Sequence, residues 1–377
     1  MTGIILAGLV FLVYALLIGA VTYGWYSMPT FRSSSEDFST PVSVIVAARN
    51  EAGTIGSLIA GLLRQDYPVN LLQVTLVDDH SGDGTLQQAR HGFSGSLVSH
   101  QLLELSGTGK SGKKAAIDYG IQNASGRLVI TTDADCSLPK TWISSMVHFY
   151  EQYHPKMILG PVRFSPSNTL FGRLQALEFM SLIATTAGSA ALGIPLMANG
   201  ANLAYEREAF LDCGGFAGNS AYPSGDDVFM MFSIKRKYGA AAIRFMKCNP
   251  AAVNTPPSES LREFIAQRLR WVSKSRGYSD PFIIAASFTV YLTNLLLLIA
   301  LVWGIFSAKV LLVALIFYLF KLLIDFPLIA GISGFHKDRG LLWLFPLLEI
   351  PNAIYTVIIG LVGNLRSYTW KGRKISP

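Results

Sequence analysis

The sequence predicts an α/β domain built on a mostly parallel sheet and flanked by membrane-crossing segments. Three observations predict it. Between about Thr40 and Ser279, short β-branched runs alternate with helical stretches, as βαβ units do. On both sides of that region lie long, nearly uncharged apolar segments. Composition agrees: of 377 residues, 51% are hydrophobic and only 15% charged, too apolar for a fully soluble protein.

Ile4–Tyr23 is uncharged and apolar, long enough at about 1.5 Å per residue to cross a core of about 30 Å. No Lys or Arg precedes it, and it exceeds the core of a typical signal peptide, so residues 1–25 read as an anchor. Pro41 then opens a strand over Val42–Ala47, followed by Asn50, Glu51 and a helix over Thr54–Gln65 with Thr54 as its cap. Gln73–Val77 reads as the next strand. It ends in Asp78-Asp79, and a turn-rich loop leads to a helix near Leu86–Arg90. Lys113–Gln122 reads as a helix stopped by Asn123-Ala124-Ser125-Gly126, and the strand Leu128–Thr132 delivers Asp133-Ala134-Asp135. There is no internal repeat. The polar domain spans 40–279, a C-terminal membrane region of two to three helices spans 281–365, and residues 366–377 form a basic tail.

The C-terminal apolar stretches are Phe282–Phe306, Val310–Ile332 and Leu341–Val362. Lys321 and Asp325 fall in the second, at the i,i+4 spacing that lets them pair, which an apolar surrounding demands. Arg262, Arg268, Arg270, Lys274 and Arg276 precede the first of these stretches and predict a cytoplasmic polar domain. Three full spans then put the tail outside, yet Arg366, Lys371, Arg373 and Lys374 put it inside by the same rule. One segment is therefore expected not to span. The candidate is the last, interrupted by Pro346, Glu349 and Pro351 and read as re-entrant or interfacial.

Net charge is +7, which on such a chain reads as attraction to anionic lipid. No basic stripe interleaved with aromatics appears, so no nucleic-acid partner is expected. Cys136, Cys213 and Cys248 stand apart without CxxC spacing or nearby His, which argues against a disulfide framework or a zinc site and fits a reducing compartment.

The acidic clusters carry the chemistry. In open α/β sheets ligands sit beyond the carboxyl ends of strands, where these clusters fall. Asp133 and Asp135 offer hard oxygen ligands suited to Mg2+ or Mn2+ holding a diphosphate. A solvated Asx turn has the same sequence signature. Asp78, Asp79 and Asp83 suit a base N–H and ribose hydroxyls, or plain turn chemistry. Lys113 and Lys114 suit a phosphate, or solvent. Gly107 to Lys114 (GTGKSGKK) has P-loop spacing, but Lys114 stands where Ser or Thr should hold the metal and no convincing strand precedes the loop. Ser224-Gly225-Asp226-Asp227 precedes a helical stretch over Val228–Lys237. Its carboxylates suit a general base or simple capping. Gln267, Arg270 and Trp271 share a helix face, as a diphosphate beside a sugar ring requires; an interfacial helix has the same pattern.

VSVIVAARNE, VDDHSGDGT, the GKKAAIDYG helix, TTDAD, NGANLAYERE, GGF, SGDD and QRLRW occur in this order from about Pro41 to Trp271. With them the chain resembles the membrane-anchored branch of the family 2 inverting glycosyltransferases of the GT-A fold. The resemblance implies a Rossmann-like, mostly parallel catalytic domain. It implies that Asp78 and Asp79 contact the nucleoside, that Asp133 and Asp135 reach the ribose and the metal, and that Asp135 is the better metal ligand. It implies that Lys113 or Lys114 approaches the phosphates, that Asp227 is the catalytic base with Asp226 beside it, and that Gln267, Arg270 and Trp271 shape the diphosphate and acceptor site. Asn202, within GANLAY, is implied to line the acceptor side. The family often has Glu-Asp where this chain has Asp226-Asp227, which loosens the choice of base.

The expected function is sugar transfer from a nucleotide-diphosphate sugar to a lipid or glycan acceptor by a multi-pass protein of the cell membrane, with Mg2+ or Mn2+ as cofactor. The semi-apolar stretch Phe179–Met197 is expected to lie against the bilayer. A processive polysaccharide synthase is the near alternative. A sugar nucleotidyltransferase and a non-enzymatic scaffold are the more distant ones.

Overall fold

A computed structural model describes residues 2–34, 37–219, 225–363, 368–370 and 373–375. Contacts divide the chain into two units, Pro29–Ser165 with Met197–Pro256, and Met1–Met28 with Pro166–Leu196 and Pro257–Pro377. The polar domain expected over 40–279 is thus partitioned: residues 166–196 and 257–279 group with the apolar helices. The chain begins with α1 (Thr2–Ser27), β1 (Val42–Ala48), α2 (Ile55–Leu63), β2 (Leu72–Asp78), α3 (Thr85–Gly92), β3 (Ser99–Glu104) and α4 (Lys113–Gln122). There follow β4 (Leu128–Asp133), α5 (Trp142–Tyr153), β5 (Met157–Leu159), β6 (Val162–Phe164), α6 (Leu170–Ala191), β7 (Leu203–Glu206) and α7 (Arg207–Asp212). Then come α8 (Asp226–Tyr238), β8 (Ile243–Phe245), β9 (Val253–Thr255), α9 (Leu261–Ser273), α10 (Pro281–Gly304), α11 (Ala308–His336) and α12 (Phe345–Val362).

The polar unit is built on a seven-stranded sheet ordered β3-β2-β1-β4-β7-β5-β8. The first four strands are mutually parallel, and β7 runs antiparallel to both β4 and β5. β1, β2 and β4 are almost wholly buried. That is why they read as continuous apolar runs rather than alternating ones. From β1 the chain steps outward to β2 and β3, then returns to place β4 on the other side of β1. The order reverses between β1 and β4, where open α/β sheets form their ligand crevice. Register sets Ala48 level with Asp78 and Ala47 level with Asp133, so both acidic ends flank the carboxyl end of β1.

One strand escaped the sequence reading. β3 precedes the Gly-rich loop before α4, where no convincing strand was expected. It is the sheet's edge and half exposed, so Ser99, His100 and Gln101 occupy positions that a central strand would fill with apolar residues.

Among the described residues, four helices of the apolar unit are long and apolar enough to cross a membrane: Ile5–Ser27, Pro281–Gly304, Ala308–His336 and Arg339–Val362. α1 and α6 meet through two glycines. A Cβ on Gly24 would run into the Gly188 carbonyl oxygen, and one on Gly188 into that of Val21, so only glycine allows this crossing. The expected pair forms, with Lys321 Nζ 2.7 Å from Asp325 Oδ2. Glu349 of α12 also pairs with Lys321, and the Tyr14 hydroxyl of α1 donates to both Asp325 oxygens at 2.8 and 2.9 Å. Three helices are tied by one buried polar knot.

The last segment corrects the expectation of an interruption. Helical structure runs from Arg339 to Val362. Pro346 sits in the first turn, where its missing N–H costs nothing, Pro351 is accommodated inside the helix, and Lys321 neutralises Glu349. The basic residues Arg366 and Lys371 lie outside the described residues.

Lys321→Met leaves two buried carboxylates without their cation, and is expected to destabilise the protein by about 3–5 kcal/mol. Replacing Asp325 and Glu349 by Leu in the same chain should recover most of that loss. Denaturant unfolding in detergent micelles measures both.

Candidate active site

Two loops at the carboxyl edge of the sheet hold each other. After β1, Asn50 takes a left-handed conformation (φ 53°), and after β2 His80 does the same (φ 59°). The Asn50 N–H donates to Ser81 Oγ at 2.9 Å, and the Gly82 N–H returns the bond to Asn50 Oδ1 at 3.0 Å. The Glu51 N–H donates to Thr85 Oγ1 at 2.7 Å, and that of Ala52 to Asp83 Oδ2 at 3.0 Å. Arg49 Nη1 donates to the Asp79 carbonyl at 2.7 Å. None of these links was read from the sequence. Asn50 after the first strand and the Ser/Gly-rich turn after the second were the available signal.

This lacing sorts the first acidic cluster. Asp83 belongs to the loop: partial burial opposes its charge, but hydrogen bonds from Thr85 and the Ala52 backbone hold its carboxyl below the ordinary range. Asp79 is buried, and its Oδ1 accepts from the Gly112 N–H at 3.0 Å and lies 3.2 Å from His80 Nδ1, tying β2 to the start of α4. Asp78 differs. Its Oδ2 accepts from the Ser81 N–H at 3.0 Å, while its Oδ1 is buried with no hydrogen-bond partner. A buried carboxylate oxygen left unpaired is costly, and a ligand N–H or O–H is what it lacks.

The second cluster gathers residues distant in sequence. Asp133 ends β4, Asp226 and Asp227 lie in the first turn of α8, and Lys113 opens α4. Lys113 Nζ stands 2.7 Å from Asp133 Oδ1 and 3.3 Å from Asp226 Oδ2. Burial works against its charge, but Asp133 and Asp226 overcome that and lift its pKa well above the ordinary lysine value. The Asp227 Oδ1 accepts from the Val228 N–H at 2.7 Å. Ser224 lies outside the described residues. Gly200 closes the wall: a Cβ there would sit 2.9 Å from Lys113 Nζ and 3.2 Å from Asp226 Oδ2. The NGAN motif holds a glycine here because the lysine needs the space.

Lys113 and Lys114, the two candidates for the phosphates, take different places. One residue along a helix turns about 100° away. Lys114 is therefore buried, with its ammonium over the Phe229 ring at 4.5 Å from the centroid. Asn202, implied to line the acceptor side, is fully buried, accepting from Trp142 Nε1 at 2.8 Å and donating to the Pro161 and Ala251 carbonyls at 2.8 and 3.1 Å. Its amide is an internal joint.

The Asp133 and Asp135 carboxylates and the Cys136 thiol lie within 4.8 Å of one another, a set able to hold a cation. Burial raises the Cys136 pKa, and the adjacent Asp133 and Asp135 charges raise it further. A set of two carboxylates and one thiol is richer in hard oxygen donors than the Cys/His sets zinc favours, and suits Mg2+ or Mn2+.

Gln267, Arg270 and Trp271 lie on α9, in the apolar unit, all partly buried. The helix is anchored by the residue between them. Arg268 pairs with Glu178 of α6, which accepts from the Tyr355 hydroxyl of α12 at 2.6 Å. The Arg268 guanidinium lies over the Trp271 ring at 4.1 Å and over the Phe264 ring at 4.6 Å. Sequence reading had used Arg268 only as a positive charge near the membrane.

Residues 43–214 match the profile of the family described as Glycosyl transferase family 2. Glycosyltransferase AglE of Haloferax volcanii is 32% identical over 127 residues, 34% of this chain and 41% of that protein. Beta-monoglucosyldiacylglycerol synthase of Synechocystis sp. is 33% identical over 112 residues, 29% of this chain and 22% of that protein. The chain thus spans less than half the length of either relative. Among solved structures, mannosyltransferase PcManGT from Pyrobaculum calidifontis, in complex with GDP-Man and Mn2+, superposes with a TM-score of 0.60. It shares 18% identity over 96% of this chain and 99% of that one, a likeness of fold. The mostly parallel sheet with its apolar helical flanks is the GT-A arrangement the sequence predicted.

Asn202→Leu strands the Trp142 indole N–H and two buried carbonyls. It is expected to lower stability by roughly 2–4 kcal/mol, counting about 1–3 kcal/mol for each stranded group with partial relaxation. Urea unfolding of the variant checks this. An acceptor-lining residue would leave the midpoint unchanged.

Proposed function

From its glycosyl transferase family 2 domain over residues 43–214, we propose that the chain is an inverting glycosyltransferase. It moves a sugar from a nucleotide-diphosphate donor to a lipid or lipid-linked acceptor. The observation that carries this reading is the meeting of the β4 and α8 carboxylates at one lysine, Lys113, at the switch point of the sheet. Asp78, with its unpaired Oδ1, receives a nucleoside donor group. Asp135, with Asp133, holds Mg2+ or Mn2+, which when bound supplies Lewis-acid neutralisation of the diphosphate leaving group. Lys113 adds an ammonium for the phosphates. Asp227, with Asp226 beside it, takes the proton from the acceptor hydroxyl as that oxygen attacks the anomeric carbon from the face opposite the leaving group. One displacement inverts the configuration, and no enzyme nucleophile takes part. Gln267, Arg270 and Trp271 serve the diphosphate and acceptor.

Two observations support a lipid acceptor in a membrane: the four span-length apolar helices, and the diacylglycerol in the name of the Synechocystis relative. The basic residues Arg262, Arg270, Lys274 and Arg276 before α10 support a cytoplasmic catalytic domain on a multi-pass protein.

A screen of nucleotide sugars with extracted membrane lipids and Mg2+ or Mn2+, read by nucleoside-diphosphate release, tests the proposal. Transfer to a lipid fraction is expected. Pyrophosphate release in its place would mean nucleotidyl transfer. Asp227→Asn is expected to cut turnover by about 10²–10⁴, and Asp135→Asn to do so with a rise in the metal concentration required. Wild-type rates in both variants would sink the assignment.

A further inference from the structure

Lys113 and the metal ion need the same carboxylate. Asp133 belongs to the set of donors within 4.8 Å that can hold a cation, and its Oδ1 already has the Lys113 ammonium at 2.7 Å. The ammonium is also held from behind, by Asp226 Oδ2 at 3.3 Å. A Cβ on Gly200 would stand 2.9 Å from it. The side chain is 22% exposed, so its charge is poorly screened by water. A divalent ion sharing Asp133 with that ammonium stands within a few ångströms of a like charge, and at such range the repulsion is worth about tenfold or more in binding constant.

We propose that Lys113 keeps divalent metal out of the bare site, so that metal and nucleotide enter together. The role rests on the reading of this site as a nucleotide-diphosphate site: the phosphates give the ammonium new acceptors and free Asp133 for the ion. Lys113 is thus the resting counter-ion of the cluster as well as a donor-binding residue. Binding becomes coupled, and the linkage is reciprocal: metal favours nucleotide as much as nucleotide favours metal.

The test is Mn2+ binding to the full chain in detergent micelles without nucleotide, followed by the paramagnetic resonance signal of free Mn2+. Lys113→Met is expected to bind Mn2+ about tenfold or more tighter than wild type, and Lys113→Gln, which can still donate to Asp133, is expected to follow it should the methionine variant misfold. Lys113→Arg keeps the charge and should match wild type. Lys110→Met removes a nearby exposed charge without contact and should shift affinity by no more than about twofold. Adding Asp135→Asn to Lys113→Met should abolish the gain. The inference is overturned if neither neutral variant gains affinity, if Lys110→Met gains as much, or if the gain survives Asp135→Asn. Failure of the enzymatic reading shows differently, as no donor cleavage with the Mn2+ shifts intact. Failure of this inference shows as donor cleavage with no Mn2+ shift.

Discussion

Carboxylates of like charge do not gather in a partly buried crevice unless a cation gathers them. β4 delivers Asp133 and Asp135, and α8 delivers Asp226 and Asp227 from almost a hundred residues further on. Each pair alone is an ordinary strand end or helix start. Brought together they repel, and the Lys113 ammonium between Asp133 and Asp226 offsets that repulsion. Much of the polar unit follows from this meeting. α4 must start where it does to aim Lys113, and Asp79 secures that start through the Gly112 N–H. Gly112 takes φ 96° to turn the chain into the helix, and Gly200 leaves the ammonium its space.

The apolar unit meets the same requirement under harsher conditions, because its surroundings solvate ions poorly. Its answer is to count charges closely. Lys321 serves Asp325 and Glu349, with Tyr14 donating to Asp325, and Arg268 serves Glu178 with Tyr355 closing the remaining oxygen. Every such knot joins helices that are remote in sequence. Pairing of this kind adds little net stability over apolar packing, but it rejects alternative helix registers, since a slipped helix would bury an unpaired charge. α9 is held by such a knot, which fixes the rotation at which Gln267, Arg270 and Trp271 are presented.

Much of this was legible from the chain alone, and the limits have physical causes. Buried parallel strands are apolar throughout, so β1, β2 and β4 were readable to within a residue or so. β3 was not, because an edge strand need not look apolar. α6 was seen only as a semi-apolar stretch. It carries apolar residues around its whole circumference and so gives no helical periodicity. Motif spacing located Lys113 and Lys114 but could not separate them. Helix geometry does, sending one to the carboxylates and the other onto Phe229. For α12, prolines and a glutamate suggested a break that the first-turn position of Pro346 and the Lys321 partner make unnecessary.

Motifs that signal function also hold residues that the fold itself engages. Asn202, Asp79, Asp83 and Lys114 all sit in motifs that signal function, and in each the polar group is satisfied within the fold. A motif contains residues that touch a ligand and residues that hold those residues, and sequence spacing treats them alike. Partner accounting separates them. Asp78 Oδ1 is buried with no hydrogen bond, and Asp133 and Asp135 are paired or clustered in a way a small ligand can replace. Asn202 could give up its partners only by breaking three internal bonds. A side chain that a ligand can satisfy better than the protein does is placed for binding. One that the protein already satisfies helps to set the shape, and in the first acidic loop Asp78 keeps an unpaired oxygen while Asp79 and Asp83 are engaged by hydrogen bonds within the fold.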